Sequence, residues 1–138
     1  MKHERLDRST ESWRDDRGTL TISAPRPGIV LQRFEGYARV PMADAIIERL
    51  DVEIAAHETI YVFDDWFEAV GYDSEVRLKL TEWTRRHASD VRETHVLFRS
   101  KLIAMGLSVA SLALGRQIHT YARRIDFEKA LAKVVSAL

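Results

Sequence analysis

The chain has no cysteine among its 138 residues. That excludes disulfides, thiolate metal sites and cysteine nucleophiles, and it suits a reducing, cytoplasmic setting. Net charge is also missing. Lys+Arg and Asp+Glu are both 21, so the formal charge is zero and there is no global attraction to nucleic acid or to an anionic membrane. No apolar run reaches the roughly 20 residues that a membrane-spanning helix needs. The nucleotide and hydrolase signatures GxGxxG, GxxxxGK[ST], GxSxG and HExxH do not occur. His3, His57, His87, His95 and His119 lie at no metal-ligand spacing. His87 and His95 flank one predicted strand start, and ordinary helix-end and strand roles account for all five. Neither a metal nor a cofactor is called for.

The length suits one domain, and a hydrophobic share of 46% is enough for a core. Residues 1–17 are polar and lack a signal-peptide core, so they read as a flexible arm with Trp13 as its one large apolar anchor. The domain is expected over 18–138. "TLTISA" (19–24) and "IVLQRFEG" (29–36) flank "PRPG" and predict an antiparallel hairpin. Pro41 suits the first turn of a helix through His57. In that helix Ala43, Ile46, Ile47, Leu50 and Ile54 form the apolar face, and Asp44, Glu48, Arg49, Asp51 and Glu53 fill the other. "TIYVFD" (59–64) and "THVLFRS" (94–100) read as buried strands. Between them, Asp73 or Ser74 caps a helix to about His87. Ser100 and Gly115 bracket a further helix, "QIHTYA" (117–122) predicts a last strand, and Asp126 caps a final helix. The order β-β-α-β-α-β-α-β-α predicts an α/β fold with a mixed five-stranded sheet and four helices.

Three stretches carry functional expectations. The first is "FDDWFEAVGYDSEV" (63–76), read as strand end, loop and helix start. Asp64, Asp65, Glu68 and Asp73 fall where ligands bind in open α/β sheets. They form either a solvated acidic loop with Asp73 as a cap, or a carboxylate site for a metal-dependent hydrolase. Trp66, Phe67 and Tyr72 either mark a binding surface or fold back on the sheet. Ser74 is either a plain capping residue or a phosphorylation switch at a helix N-terminus. The second is "LIAMGLSVASLAL" (102–114), which carries no charge. Leu102, Met105, Leu107, Val109 and Leu112 would be covered by the C-terminal helix, by a second copy in a homodimer, or by an apolar ligand or lipid. The third is the arginine pairs Arg85-Arg86 and Arg123-Arg124, which read as solvated helix ends.

The element order, together with "YVFDDW", "GYDSEVR", "EWTRRH" and "VLFRS", resembles the STAS superfamily of bacterial anti-sigma-factor antagonists, and within it the SpoIIAA-like family. The resemblance spans roughly residues 18 to 136. It implies a non-enzymatic regulatory module with a protein partner, in which the serine after the aspartate is phosphorylated to release that partner. Asp73 and Ser74 match those positions. Glu75-Val76 stand where the antagonists have Ser-Gly, so the fold carries over better than the switch. SpoIIAA-like proteins are similar in architecture to Sec14-type lipid-binding domains, which implies a small apolar ligand as the alternative.

Overall fold

A computed structural model describes residues 1–115 and 118–138. Its elements are β1 (Lys2–Arg5), β2 (Glu11–Arg14), β3 (Gly18–Arg26), β4 (Ile29–Ala38), α1 (Val40–His57), β5 (Ile60–Tyr72), α2 (Ser74–Arg86), β6 (Val91–Phe98), α3 (Lys101–Leu114), β7 (His119–Tyr121) and α4 (Arg124–Ala137). The sheet has seven strands in the order of the sequence. β1 to β4 pair antiparallel, and β4 to β7 pair parallel. The predicted α/β class, the hairpin and the four helices are all present. Gly28 (φ 84°) turns β3 into β4, Pro41 lies in the first turn of α1, and the Ser100 hydroxyl accepts from the N–H groups of Leu102 and Ile103. Gly115 closes α3 in the left-handed conformation.

Several expectations are corrected. The sheet has seven strands, not five, because residues 1–17 are not a loose arm: they supply β1 and β2. Trp13 stacks on His3 and is buried in the main core. What holds this hairpin down is a charge. Arg49 was expected on the solvent face of α1, yet it is buried together with Glu11 and Glu53. Its Nη1 donates to Glu11 Oε1 at 2.8 Å, its Nε to Glu53 Oε1 at 2.9 Å and its Nη2 to the Ser9 carbonyl at 2.6 Å. Arg49 and Glu53 stand three and seven places after Ile46, on the same helix face. The apolar face of α1 thus closes over an ion network instead of ending at it.

Second, β5 does not end at Asp64 but runs to Tyr72, so no loop separates strand from helix. Third, the final helix starts at Arg124, which leaves Asp126 in its first turn and not at its cap. Fourth, α4 does not cover α3. Phe127 of α4 packs with Ile29, Phe63 and Leu97 on one face of the sheet. Ile46 and Leu50 of α1, Trp83 of α2, and Ile103 and Leu107 of α3 belong to the core on the other face. The last strand covers His119–Tyr121, and Gln117, the first residue predicted for it, lies outside the described residues.

Removing one partner from a buried ion network leaves the others desolvated and unpaired. Arg49→Ala is expected to destabilise the fold by about 3–5 kcal/mol in urea unfolding, more than Leu6→Ala on the exposed turn before β2. An effect no larger than that of Leu6→Ala would show that the hairpin is held by strand pairing alone.

Candidate functional site

In β5 the pleat sends successive side chains to opposite faces. Val62, Asp64 and Trp66 face the layer of α1, α2 and α3, where they line a cavity. Phe63 packs on α4, and Asp65 is bonded from α4 by Arg124. An extra residue in β5 between Asp65 and Glu68, opposite Arg33 and Glu35 of β4, shifts the register, and Ala69 then returns to the cavity side. The predicted cluster of carboxylates is therefore not a cluster. Asp64 and Asp65 lie on opposite sides of the sheet and are both buried. Glu68 is paired with Arg99 at 3.2 Å. Asp73 accepts a hydrogen bond from the Tyr37 hydroxyl at 2.7 Å, and this bond holds the Tyr37 phenol above its ordinary pKa.

The two neighbouring aspartates have opposite electrostatics. Burial works to raise Asp65, but hydrogen bonds from Arg124, Arg33 and the Phe67 N–H outweigh it and hold the carboxyl below its ordinary value. Arg124 Nη1 and Arg33 Nε reach Asp65 Oδ2 at 2.8 and 3.0 Å, so this carboxylate is an ion-pair anchor between β5 and α4. Asp64 has no such partner. Burial alone pushes it up to about 8, so it is neutral at pH 7. A hydrolase that uses Asp64, Asp65 and Glu68 around one metal ion is not formed by this geometry.

Asp64 instead lines a cavity of about 140 Å³ between the sheet and α1, α2 and α3. Gln32, its register partner on β4, lines it too. Of the five residues singled out on α3, Leu107 is buried and lines the cavity. Leu102 (44%), Met105 (64%), Val109 (46%) and Leu112 (85%) are exposed, at spacings of three, four and three residues. They form an outward stripe and not a pocket wall. Ile103, Gly106, Ala110 and Leu114 form the wall with Leu107. Tyr72 lies over Gly106, where an added Cβ would run into its hydroxyl.

Ser74 is the exposed first residue of α2. Asp73 stands at the N-cap position but caps none of the helix N–H groups with its side chain, which is turned to the Tyr37 hydroxyl. The expectation of Asp73 as a side-chain cap is corrected accordingly. Trp66 is half-buried against the core, the fold-back alternative. Phe67 is flanked by the guanidinium groups of Arg99 and Arg124 at 5.0 and 5.5 Å. Arg123 and Arg124 are both exposed at the start of α4, as expected of a helix end, and Arg124 also reaches the buried Asp65 carboxylate.

Sequence spacing also missed a group on the α4 side of the sheet. Glu93, His95 and His119 have ligand atoms within 4.8 Å of one another. His95 donates or accepts at both nitrogens, at 2.8 Å from Glu93 Oε1 and 2.8 Å from the Tyr121 hydroxyl. Burial lowers its pKa against the raising effect of Glu93. The His95 and His119 rings are stacked 4.7 Å apart and within 15° of parallel, so their in-plane lone pairs do not converge on one ion. The sequence signal for this trio is the i, i+2 spacing of Glu93 and His95 within β6; His119 is brought to them by the parallel pairing of β6 with β7.

Stability should report the state of Asp64. The folded state keeps its proton up to about pH 8, whereas the unfolded chain releases it near 3.8. The favourable contribution is present at low pH, declines as pH rises from about 4 to 8 at up to about 1.4 kcal/mol per unit, and is level above. His95 acts in the opposite sense, since its lowered pKa costs stability as pH falls. The wild type minus Asp64→Asn difference in unfolding free energy isolates Asp64. It is expected to become less favourable to the wild type across that window, and a flat difference would place a charge on Asp64 at pH 7.

No family model matches the chain, and no curated protein matches it. Among the described residues no helix is long and apolar enough to cross a membrane. Solved structures do match. An uncharacterised protein from the DUF3478 family with a SpoIIAA-like fold, from Shewanella loihica PV-4, superposes with a TM-score of 0.62 at 13% identity, over 83% of this chain and 94% of that one. An anti-sigma factor antagonist from Mycobacterium paratuberculosis superposes with a TM-score of 0.59 at 14% identity, again over 83% and 94%. At such identities the likeness is one of fold, and the fold of this chain is SpoIIAA-like, as the order of its elements implied.

Proposed function

We propose that the protein is a non-enzymatic regulatory module that engages a protein partner through the edge where β5 passes into α2, at Tyr72, Asp73 and Ser74. The observation that carries this reading is the exposure of Ser74 at the first position of a 13-residue helix, in a fold shared with an anti-sigma factor antagonist. Free N–H groups and the helix dipole at that position accept a phosphate without disturbing the core. Glu75 beside it is exposed and already negative, so a phosphate on Ser74 would strengthen a charge that is present rather than create one. Asp64 and Asp65 have no part in this surface, because both are buried. A cytoplasmic location accords with this reading.

The test is quantitative capture from the host lysate with wild type, Ser74→Ala and Ser74→Glu. A partner retained by wild type and Ser74→Ala, and lost at least about tenfold with Ser74→Glu, supports the switch. Equal retention by all three removes this edge as the interface.

A second reading is favoured by the cavity beneath α3: an apolar-ligand or lipid carrier walled by part of 102–114. Native mass spectrometry is expected to show a co-purifying small molecule, and a bare chain mass with no ligand uptake would count against it. The homodimer foreseen from the uncharged helix would use the outward stripe of Leu102, Met105, Val109 and Leu112, whose spacing suits pairing of two identical helices. Light scattering should then give twice 15.9 kDa, with a return to monomer in Met105→Lys. A wild-type monomer ends that proposal.

A further inference from the structure

The cavity differs from an ordinary packing defect at its floor. Its walls are apolar, with Met42 and Ile46 from α1, Val76 and Leu80 from α2, and Ile103 and Leu107 from α3. Its floor carries two polar side chains, Gln32 (2% exposed) and Asp64 (5% exposed), on adjacent strands in register. Gln32 Oε1 and Asp64 Oδ1 are buried and have no hydrogen-bond partner among the described residues. Buried polar atoms are nearly always paired, and leaving one bare costs stability. Here two of them share one cavity on register-paired strands: an amide oxygen, which accepts, and an oxygen of a neutral carboxyl group.

We propose, on the reading that the cavity is a ligand site, that its occupant is a compact apolar molecule ending in a hydrogen-bond donor, a hydroxyl or a primary amine, which Gln32 and Asp64 receive. The size fits such a molecule. An apolar cavity of about 150 Å³ admits a benzene-sized guest, and this one measures about 140 Å³. A single water could bridge the two oxygens but would leave most of that volume empty. A carboxylate head could accept from the Asp64 acid but would set its charge against the Gln32 oxygen and leave that acceptor bare. A hydroxyl or an amine supplies the donor that Gln32 Oε1 lacks and pairs with either form of Asp64.

The state of Asp64 sharpens the expectation. As a neutral acid it both donates to and accepts from a hydroxyl. With an amine the Asp64 proton is released to solvent, and the bound pair is carboxylate and ammonium. The other ionisable groups on the lining are Tyr72 of β5 and Arg77 of α2, and α1, α3, β4 and β6 contribute none among the described residues. Arg77 does not offset the burial of Asp64, which is the one cause of its shift. Amine binding therefore releases one proton below about pH 8. Its affinity should rise up to tenfold per pH unit to that point and level off above it, while affinity for the alcohol should not rise.

The experiment is calorimetric titration of the full chain with toluene, benzyl alcohol and benzylamine at pH 8. Wild type is expected to bind the two donors about tenfold or more tighter than toluene. In Asp64→Leu and in Gln32→Met that advantage should shrink to about threefold or less, with toluene still bound. The second variant keeps the test open if the first does not fold. Toluene binding as tightly as the donors, an advantage undiminished in both variants, or an amine affinity flat between pH 6 and 8 would overturn the head-group assignment while leaving a ligand cavity. Failure of all three compounds to bind would overturn the cavity reading with it.

Discussion

The pleat of β5 is the constraint on which everything else in the molecule turns. The strand is 13 residues long and pairs in parallel with β4 on one side and β6 on the other. Each side chain is therefore committed to one face or the other. Asp64 goes under the three-helix layer and is neutralised. Asp65, one residue on, goes under α4 and is held ionised by two arginines. Two adjacent residues of one type thus do opposite work: one carries an unspent hydrogen-bonding atom into a cavity, and the other ties a helix to the sheet.

That constraint also explains what was legible in the sequence. Periodicity located every helix of the domain, and turn and cap chemistry located their ends at Ser100, Gly115 and Pro41, because those signals are local. The acidic stretch after residue 63 was misjudged because charge density suggests a loop, while in the fold each charge has a separate answer. Tyr37 accounts for Asp73, Arg99 for Glu68, and Arg33 with Arg124 for Asp65. These partners lie between 31 and 59 positions away, beyond the reach of a local pattern. The N-terminal hairpin failed for the same reason. Residues 1–17 contain too little apolar surface to order themselves, and the contacts that order them, Arg49 with Glu11 and the Ser9 carbonyl, come from a helix that follows in the chain.

α3 was legible in composition and not in orientation. A helix without charges gives no polar face by which to orient it, so the prediction could say only that it needed cover. In the fold the small residues Gly106 and Ala110 face inward with Ile103 and Leu107, and Tyr72 packs onto Gly106. Larger residues at Met105 and Leu112 are left outside. Size and not polarity decides the rotation: the close approach of Tyr72 leaves no room for a Cβ at position 106. The cavity begins beside this contact, where the wall passes from Tyr72 to Ile103 and Leu107.

Tyr72 and Val76 both line the cavity, and they bracket Asp73, Ser74 and Glu75 at the start of α2. An occupant under Val76 and a partner docked at Ser74 would therefore bear on the same helical turn from its inner and outer sides. If the occupant changes the position of that turn, the partner senses the occupant, and linkage requires the converse with equal magnitude. The shared turn is anchored at one end by the Tyr37–Asp73 hydrogen bond and at the other by Val76 in the core, so the route between the two sides is short and consists of named contacts. On the proposed function, the first turn of α2 would carry the ligand on its inner side and the partner on its outer side, so a change at either would be read at the other.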